Sequence, residues 1–329
     1  MNVLFLYQDK DMPSSRIRVL NLLPEMQRAG IQAEASAYPK SISDKMRLWR
    51  ELGKFDIIYL QKKLPSPLEL KLLRSRSKKL IFDFDDAIYY RDDSHASFES
   101  RSRRTKFGSI AKAADIVVAG NRLLADYAGR YNNHVVVLPS SVETRRIPVK
   151  DHAGGNGDIV IGWVGGKGNL RHLAMLSETF RKLAGSSRIR IKVICSDTIQ
   201  IPGVQVDFVP WDPGTQEKEI ALFDIGVMPL PQNRWSEGKC AYKALQYMAA
   251  GVPPVVSDVG VNRDVVEHGK EGLVVPAPEG FHDAIRSLLD SKEQRIELGR
   301  NARRKAETHY SVEVIGKKLA DLLLGIPDT

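Results

Sequence analysis

Short apolar runs recur along this chain, and polar loops followed by helix-period segments fill the gaps between them. Residues 3–7 (VLFLY), 31–37, 55–61, 80–82, 115–119 and 135–138 are such runs. Each is too short for a buried helix and too continuous for a strand with one wet face. Segments at 16–30 and 68–74 separate them, with Ile17, Leu20 and Leu23 at helical spacing in the first. Strand, loop, helix, strand is the unit of a parallel sheet covered on both faces. The same alternation restarts at 159–164 and continues through 189–195, 204–209, 224–230, 255–258 and 272–275. Two blocks of this kind predict two doubly wound α/β domains. Between them, 139–158 breaks the periodicity with Pro148 and the cluster Gly154-Gly155-Asn156-Gly157, which reads as a linker. The expected partition is 1–146, 147–310, and a terminal helix within 311–329, following helices at 283–289 and 294–308.

Composition bounds the chemistry. At 329 residues, 43% hydrophobic and 27% charged, the chain has material for two ordinary cores and no disordered or collagenous bias. Cys195 and Cys240 are far apart and sit in no CxxC or Cys/His cluster, so neither a disulfide framework nor a zinc site is expected, and a reducing cytoplasm is the natural compartment. The opening MNVLFLYQDKDMP lacks a basic head and a small-residue cleavage site, and no window reaches the length of a membrane span. Residues 1–150 hold 27 Lys/Arg against 17 Asp/Glu, more than the whole net charge of +9. A basic first half points to an anionic partner: phospholipid head groups, a phosphorylated acceptor or nucleic acid.

The most informative stretch is 235–276, which begins WSEGKCAYKALQYMAAGVPPVVSD. A polar loop (Ser236, Glu237, Gly238, Lys239) runs into a helix that ends at Ala250-Gly251, with Gly251 expected in the left-handed conformation and Pro253-Pro254 forbidding continuation. Lys239 and Lys243 are four apart, so a helix starting near Gly238 carries both on one face at its positive end. That combination is an anion site, suited to phosphate. The bland alternative is an ordinary helix start with solvated lysines.

This stretch resembles the C-terminal half of family-four glycosyltransferases of the GT-B fold. The tail Gln246-Tyr247-Met248-Ala249-Ala250-Gly251-Val252-Pro253 carries the likeness. Typical members have two glutamates with seven residues between them. Here Gln246 stands at the second position and Gly238 at the first, with Glu237 one place off, as in a branch whose loop reads Gly-Lys-Cys-x-x-Lys. The resemblance implies two Rossmann-like domains facing across a cleft, with the nucleotide sugar on the second. It places the donor against Gly165, Gly166, Lys167, Trp211, Gly238, Lys239, Cys240, Ala241, Tyr242, Lys243 and Gln246. Residues 165–169 form a glycine-rich turn after a strand, and Lys167 adds charge there. Trp211 either lines the base pocket or packs as an ordinary aromatic. Lys239 and Lys243 are expected to stabilise charge on the leaving nucleotide, with no metal or other cofactor.

In the first half, Asp83-Phe84-Asp85-Asp86 follows a strand at the sheet edge where such folds bind ligands. Alternation sends Asp83 and Asp85 the same way. These carboxylates serve general-base, hydroxyl-binding or metal-ligating roles, or simply a salt-bridged cluster. Asp83-Phe84-Asp85 formally fits the metal-holding triplet of GT-A transferases, a fold the rest of the chain does not resemble. The resemblance places Asp85 and Asp86 near the acceptor hydroxyl, and Ser15, Arg16 and Arg18 follow the first strand as acceptor-binding candidates. Ser14 or Ser15 is also a candidate helix cap. The basic run Arg101, Arg103, Arg104, Lys106 has few aromatics near it, which argues against single-strand nucleic-acid stacking.

The expected function is therefore transfer of a sugar from a nucleotide-diphosphate donor to a hydroxyl of a glycan or lipid-linked acceptor. Retained anomeric configuration is expected, in envelope, polysaccharide or lipopolysaccharide biosynthesis, with peripheral attachment to an anionic membrane. The missing glutamates motivate a second reading, a non-catalytic sugar-nucleotide binder. The basic half motivates a third, nucleic-acid binding, which lacks any supporting motif.

Overall fold

The computed structural model describes residues 1–151, 157–185 and 189–326. Most of the glycine cluster in the expected linker, residues 154–156, lies outside them. Among the described residues the strands form two six-stranded sheets, parallel throughout.

The first sheet has the order β2-β1-β3-β4-β5-β6. Its strands are β1 (Asn2–Tyr7), β2 (Gln32–Ala37), β3 (Ile57–Gln61), β4 (Lys79–Phe84), β5 (Ile116–Ala119) and β6 (Val135–Val137). All five residues of β3 are buried, as a central strand covered on both faces requires. The crossovers are α1 (Pro13–Arg18) and α2 (Leu23–Arg28), then α3 (Ile42–Glu51), α4 (Pro67–Arg76), α5 (Arg101–Ala113) and α6 (Arg122–Ala128). The starts are capped by local chemistry. Ser41 accepts from Asp44 N–H on α3, and Asn121 accepts from Leu124 N–H on α6. On α4, Ser66 and Glu69 form a reciprocal capping box ahead of Pro67. The helix expected across 16–30 is broken. Neither Ser14 nor Ser15 caps it; Met12 is the N-cap and both serines lie inside α1. A 3₁₀ turn at Leu20–Leu22 separates α1 from α2, which carries Pro24 in its first turn.

The second sheet has the order β12-β11-β10-β7-β8-β9. It comprises β7 (Ile159–Val164), β8 (Ile189–Cys195), β9 (Val206–Pro210), β10 (Ile225–Met228), β11 (Pro254–Ser257) and β12 (Leu273–Val275). Its helices are α7 (Leu170–Ala174), α8 (Ser177–Ala184), α9 (Gln216–Ile220), α10 (Arg234–Glu237), α11 (Tyr242–Ala249), α12 (Asn262–Val265), α13 (Phe281–Asp290) and α14 (Lys292–Lys305). Helix α11 is set on the sheet by Tyr247. The ring packs so tightly over Gly226 that a Cβ there would meet it at 2.5 Å. The hydroxyl accepts from Val164 N–H at 3.2 Å and donates to Val227 O at 3.2 Å, joining β7 to β10. Gly251 ends the helix with φ +70°, the left-handed position expected of it.

Two units emerge. The first comprises Met1–Ser141, Glu237–Cys240 and Val312–Thr329; the second comprises Val142–Ser236 and Ala241–Ser311. The last helix, α15 (Val312–Leu324), buries Ile315, Leu319 and Leu323 among Val3, Phe5, Leu22 and Met26 of the first unit. Residues 237–240, which a cut at 147 assigns to the second domain, pack with the first unit. No helix of the described residues is long and apolar enough to cross a membrane.

Candidate functional site

In the first unit the carboxyl edge of the sheet carries a closed charge cluster. Asp83 lies inside β4, with Phe82 and Phe84 turned the opposite way into an aromatic core with Phe107. Its carboxylate accepts from Arg18 Nε at 3.2 Å and from Arg18 Nη2, and Arg18 Nη1 donates to Leu138 O. Arg18 is 1% exposed and Asp83 0%. Arg18 is thus a buried structural cation, which corrects its expected place in acceptor binding. Ser15 is also fully buried, while Arg16 is partly exposed.

Beyond the end of β4, Lys62 reaches between the next two carboxylates. Its ammonium lies 3.0 Å from Asp85 Oδ1 and pairs more closely with Asp86 Oδ2. Lys62 has φ +57°, a left-handed backbone that a residue with a Cβ adopts only under tertiary constraint. Lys239 Nζ lies 3.5 Å from Asp86 Oδ1. Cys240 Sγ donates to Asp85 O at 3.1 Å, and Gly120 leaves room for that sulfur, since a Cβ there would sit 2.5 Å from it. Asn121 Nδ2 holds the same segment through Gly238 O and Lys239 O. Gly238 lies so close to Ala87 that a Cβ would fall 2.6 Å from the Ala87 methyl.

Protonation differs across the cluster. Burial works against a charged Asp86, but Lys239 and Lys62 outweigh it and lower its pKa to about 2. Burial raises Asp85; Lys62 opposes this and Asp86 reinforces it, leaving Asp85 above the usual carboxylate range. Burial also disfavours the Lys62 ammonium, yet the two aspartates hold its pKa above the ordinary lysine value. Burial and Asp85 push the Cys240 thiol upward, so it is protonated at neutral pH. One carboxylate charged at neutral pH beside one that takes up protons more readily is an arrangement suited to orienting and deprotonating a hydroxyl. A stability effect follows. Asp86 stabilises the fold above its unfolded pKa of about 4 and loses this as pH falls toward about 2. Asp86→Asn is expected to flatten that part of the curve. Urea unfolding measured across this window checks it; an unchanged slope would show that Asp86 is not held down by the two lysines.

In the second unit, α11 begins at Tyr242, with Ala241 as N-cap at φ +53°. Lys239 is therefore not on the helix, and the expected shared face of Lys239 and Lys243 does not form. The left-handed Ala241 turns the chain between them. Lys243 alone occupies the first turn, its Nζ 5.7 Å from the centroid of the Trp163 ring. Gly165 makes this possible: a Cβ there would lie 2.6 Å from the indole and 2.9 Å from Lys243 Cε. Gly166 faces open space. Lys167 is exposed and paired with Asp197 at 2.8 Å, and Asp197 raises its pKa while its own is lowered. Trp211 donates from Nε1 to Gln216 Oε1 at 2.9 Å and packs against the core beneath α11. Gln246 is buried on that helix at 6% exposure, and Tyr242 packs partly buried at its start.

The structure thus gathers Asp85, Asp86, Lys239 and Cys240 in one cluster and Gly165 with Lys243 in another. Sequence reasoning passed over Lys62, Asn121 and Trp163. Each lies at or just past the carboxyl end of a parallel strand, or on it, and that position was the available signal. Among the described residues no group of three or more His, Cys, Asp or Glu side chains is arranged to hold a metal ion. Lys62 fills the space between Asp85 and Asp86, and Arg18 occupies Asp83, so the formal Asp-x-Asp triplet converges on no common point.

Comparison with known proteins adds to this geometry. Residues 158–291 match the family described as Glycosyl transferases group 1. Over 122 residues the chain is 30% identical to spore coat protein SA of Bacillus subtilis, covering 35% of this chain and 32% of that protein. Over 118 residues it is 30% identical to D-inositol 3-phosphate glycosyltransferase of Corynebacterium urealyticum, covering 35% of this chain and 27% of that protein. The chain therefore matches about a third or less of these relatives' lengths. Sucrose-phosphate synthase from Thermosynechococcus elongatus superposes with a TM-score of 0.75 at 14% identity over 98% of both chains. Anabaena HepE, solved with UDP and glucose, gives 0.74 at 14% identity over 99% of this chain and 100% of that one. These structural likenesses establish the fold as GT-B, with a Rossmann-like sheet in each unit.

Proposed function

We propose that this chain is a glycosyltransferase that moves a sugar from a nucleoside-diphosphate donor to an acceptor hydroxyl. The observation that carries the reading is the family match over 158–291, which contains β7, the Gly165-Gly166 turn and Lys243. The second unit takes the donor. Lys243 and the positive end of α11 bind the diphosphate, Gly165 and Gly166 let backbone approach it, and Gln246 hydrogen-bonds a hydroxyl of the donor through its amide. Lys243 stabilises charge on the departing nucleotide, so residues rather than a metal ion perform this step. The chain represents the branch whose loop reads Gly238-Lys239-Cys240-x-x-Lys243. Lys239 acts mainly as the counter-ion of Asp86.

The first unit takes the acceptor. Asp85 and Asp86 orient its hydroxyl for attack on the donor face that the nucleotide leaves, which retains anomeric configuration. Asp85→Asn and Asp86→Asn should each lower turnover by about 10²-fold while donor affinity is unchanged. Full transfer activity in both variants would remove the assignment. The basic first half supports docking at an anionic membrane surface on its cytoplasmic side, with glycan or lipid-linked acceptors in envelope or polysaccharide assembly.

The test of the whole reading is a thermal-shift and transfer screen with UDP-, GDP-, ADP- and CMP-sugars. One donor class should raise Tm by mass action and support transfer with retention, read by NMR of the product. Binding without hydrolysis or transfer to any acceptor would favour the non-catalytic binder. No stabilisation by any donor would overturn both.

A further inference from the structure

Among the described residues, Ile42 at 79% and Leu68 at 67% are the two most exposed large hydrophobic side chains. They open two neighbouring helices, α3 and α4, which Lys45 and Glu69 tie together at 2.7 Å. Met46, one turn along α3, is 45% exposed and extends the apolar stripe from Ile42. The surrounding charge is one-sided. Residues 40–79 hold 12 Lys/Arg against 4 Asp/Glu, an excess of +8 in a chain whose net charge is +9. Arg47, Arg50 and Lys71 are exposed beside the stripe and enter no ion pair among the described residues. The acidic side chains facing them are largely engaged. Glu69 is held by Lys45 and the Ser66 cap, and Asp44 accepts from Ser41, leaving Glu51.

We infer that the α3–α4 face docks on an anionic lipid surface, inserting Ile42, Met46 and Leu68 while Arg47, Arg50 and Lys71 meet the phosphates. Apolar side chains ringed by cations match an interface that is apolar below and negative above. A nucleic acid fits less well, because the aromatic of this face, Trp49, is buried at 8% and offers no stacking platform. Topology adds a reason. Helices α3 and α4 start where β2 and β3 end, and this is the sheet edge that carries Lys62, Asp85 and Asp86. A lipid-anchored acceptor held at this face would present its hydroxyl toward that edge. The inference rests on the proposed anionic surface for the basic half, but not on the transfer chemistry.

Vesicle flotation tests it. The wild-type chain should float with equal phosphatidylcholine and phosphatidylglycerol and not with phosphatidylcholine alone. I42S/L68S should fold normally, since both side chains are exposed, yet bind more than about tenfold more weakly at physiological ionic strength. R47E/R50E/K71E should lose binding even at low salt. R300E/R304E, on the basic helix α14, should bind as wild type. If the wild type does not float, the membrane reading fails altogether. If it floats and the first two variants match it, the surface is real and the assigned face is wrong. Equal loss in R300E/R304E would reduce the effect to net charge and also overturn the face. Transfer to a water-soluble acceptor, unchanged in I42S/L68S, separates these outcomes from failure of the enzyme assignment.

Discussion

Asp83→Ala is expected to lower the free energy of unfolding by about 3–5 kcal/mol, because it strands a buried guanidinium. Arg18 is 1% exposed and Asp83 0%, so water cannot replace the lost partner without opening the core. The hydrogen bond from Nη1 to Leu138 O would remain, which does not replace a carboxylate. The pair itself need not be strongly stabilising, since desolvating both charges offsets much of their attraction. The double variant R18M/D83L should therefore recover most of the loss, and the cycle should show a large coupling between the two positions. Urea unfolding of the wild type, both single variants and the double variant measures this. An Asp83→Ala cost below about 0.5 kcal/mol, the range of ordinary surface changes, would mean that the pair is not buried in solution. The pair also pins α1 to β4 just before Asp85 and Asp86. If its role is purely to position, the double variant should regain activity along with stability.

The pair marks where sequence legibility stopped. Strand β7 at Ile159–Val164, strand β8 at Ile189–Cys195 and helix α15 at Val312–Leu324 coincide with the apolar runs and periodicity that predict them. Burial on both sheet faces leaves such runs little freedom. The break between α1 and α2 had a visible cause: Pro24 has no N–H to donate back along a continuous helix. Partner choice had none. Arg18 and Asp83 are 65 residues apart, Lys62 and Asp86 are 24 apart, and Lys239 and Asp86 are 153 apart. No local period encodes such pairs; they follow from which strands end side by side.

The Lys239–Lys243 error has a sharper origin. Spacing of four implies a common face only if the helix is already running. The chain adopts its left-handed turn at Ala241, a residue for which that conformation costs about 1 kcal/mol or more and which carries no glycine-like warning. The buried surroundings of Ala241, at 0% exposure, over-determine the turn. Sequence could locate the cationic segment, but the division of its two lysines between the units needed the structure.

That division makes the remaining prediction specific. Lys243→Ala should reduce kcat by about 10²–10³-fold with little change in Tm, whereas Lys239→Ala should act chiefly through Asp86. Lys243 projects from the first turn of α11 across Trp163, and truncation removes a cation without opening the core around Tyr247 and Leu245. Negative charge on the nucleoside diphosphate grows as the glycosidic bond breaks, so the loss should fall on kcat more than on donor affinity. Lys243→Arg keeps the charge on a planar, bulkier head and should recover only part of the rate, because the passage beside Gly165 has no room to spare. Lys239→Ala removes the stronger of the two Coulombic attractions that lower Asp86, so the Asp86 pKa should rise and the acid limb of the pH–rate profile should move to higher pH. Steady-state kinetics and pH profiles of the three variants decide it. Wild-type turnover in Lys243→Ala would remove the diphosphate role, and identical profiles for Lys239→Ala and wild type would remove the counter-ion role.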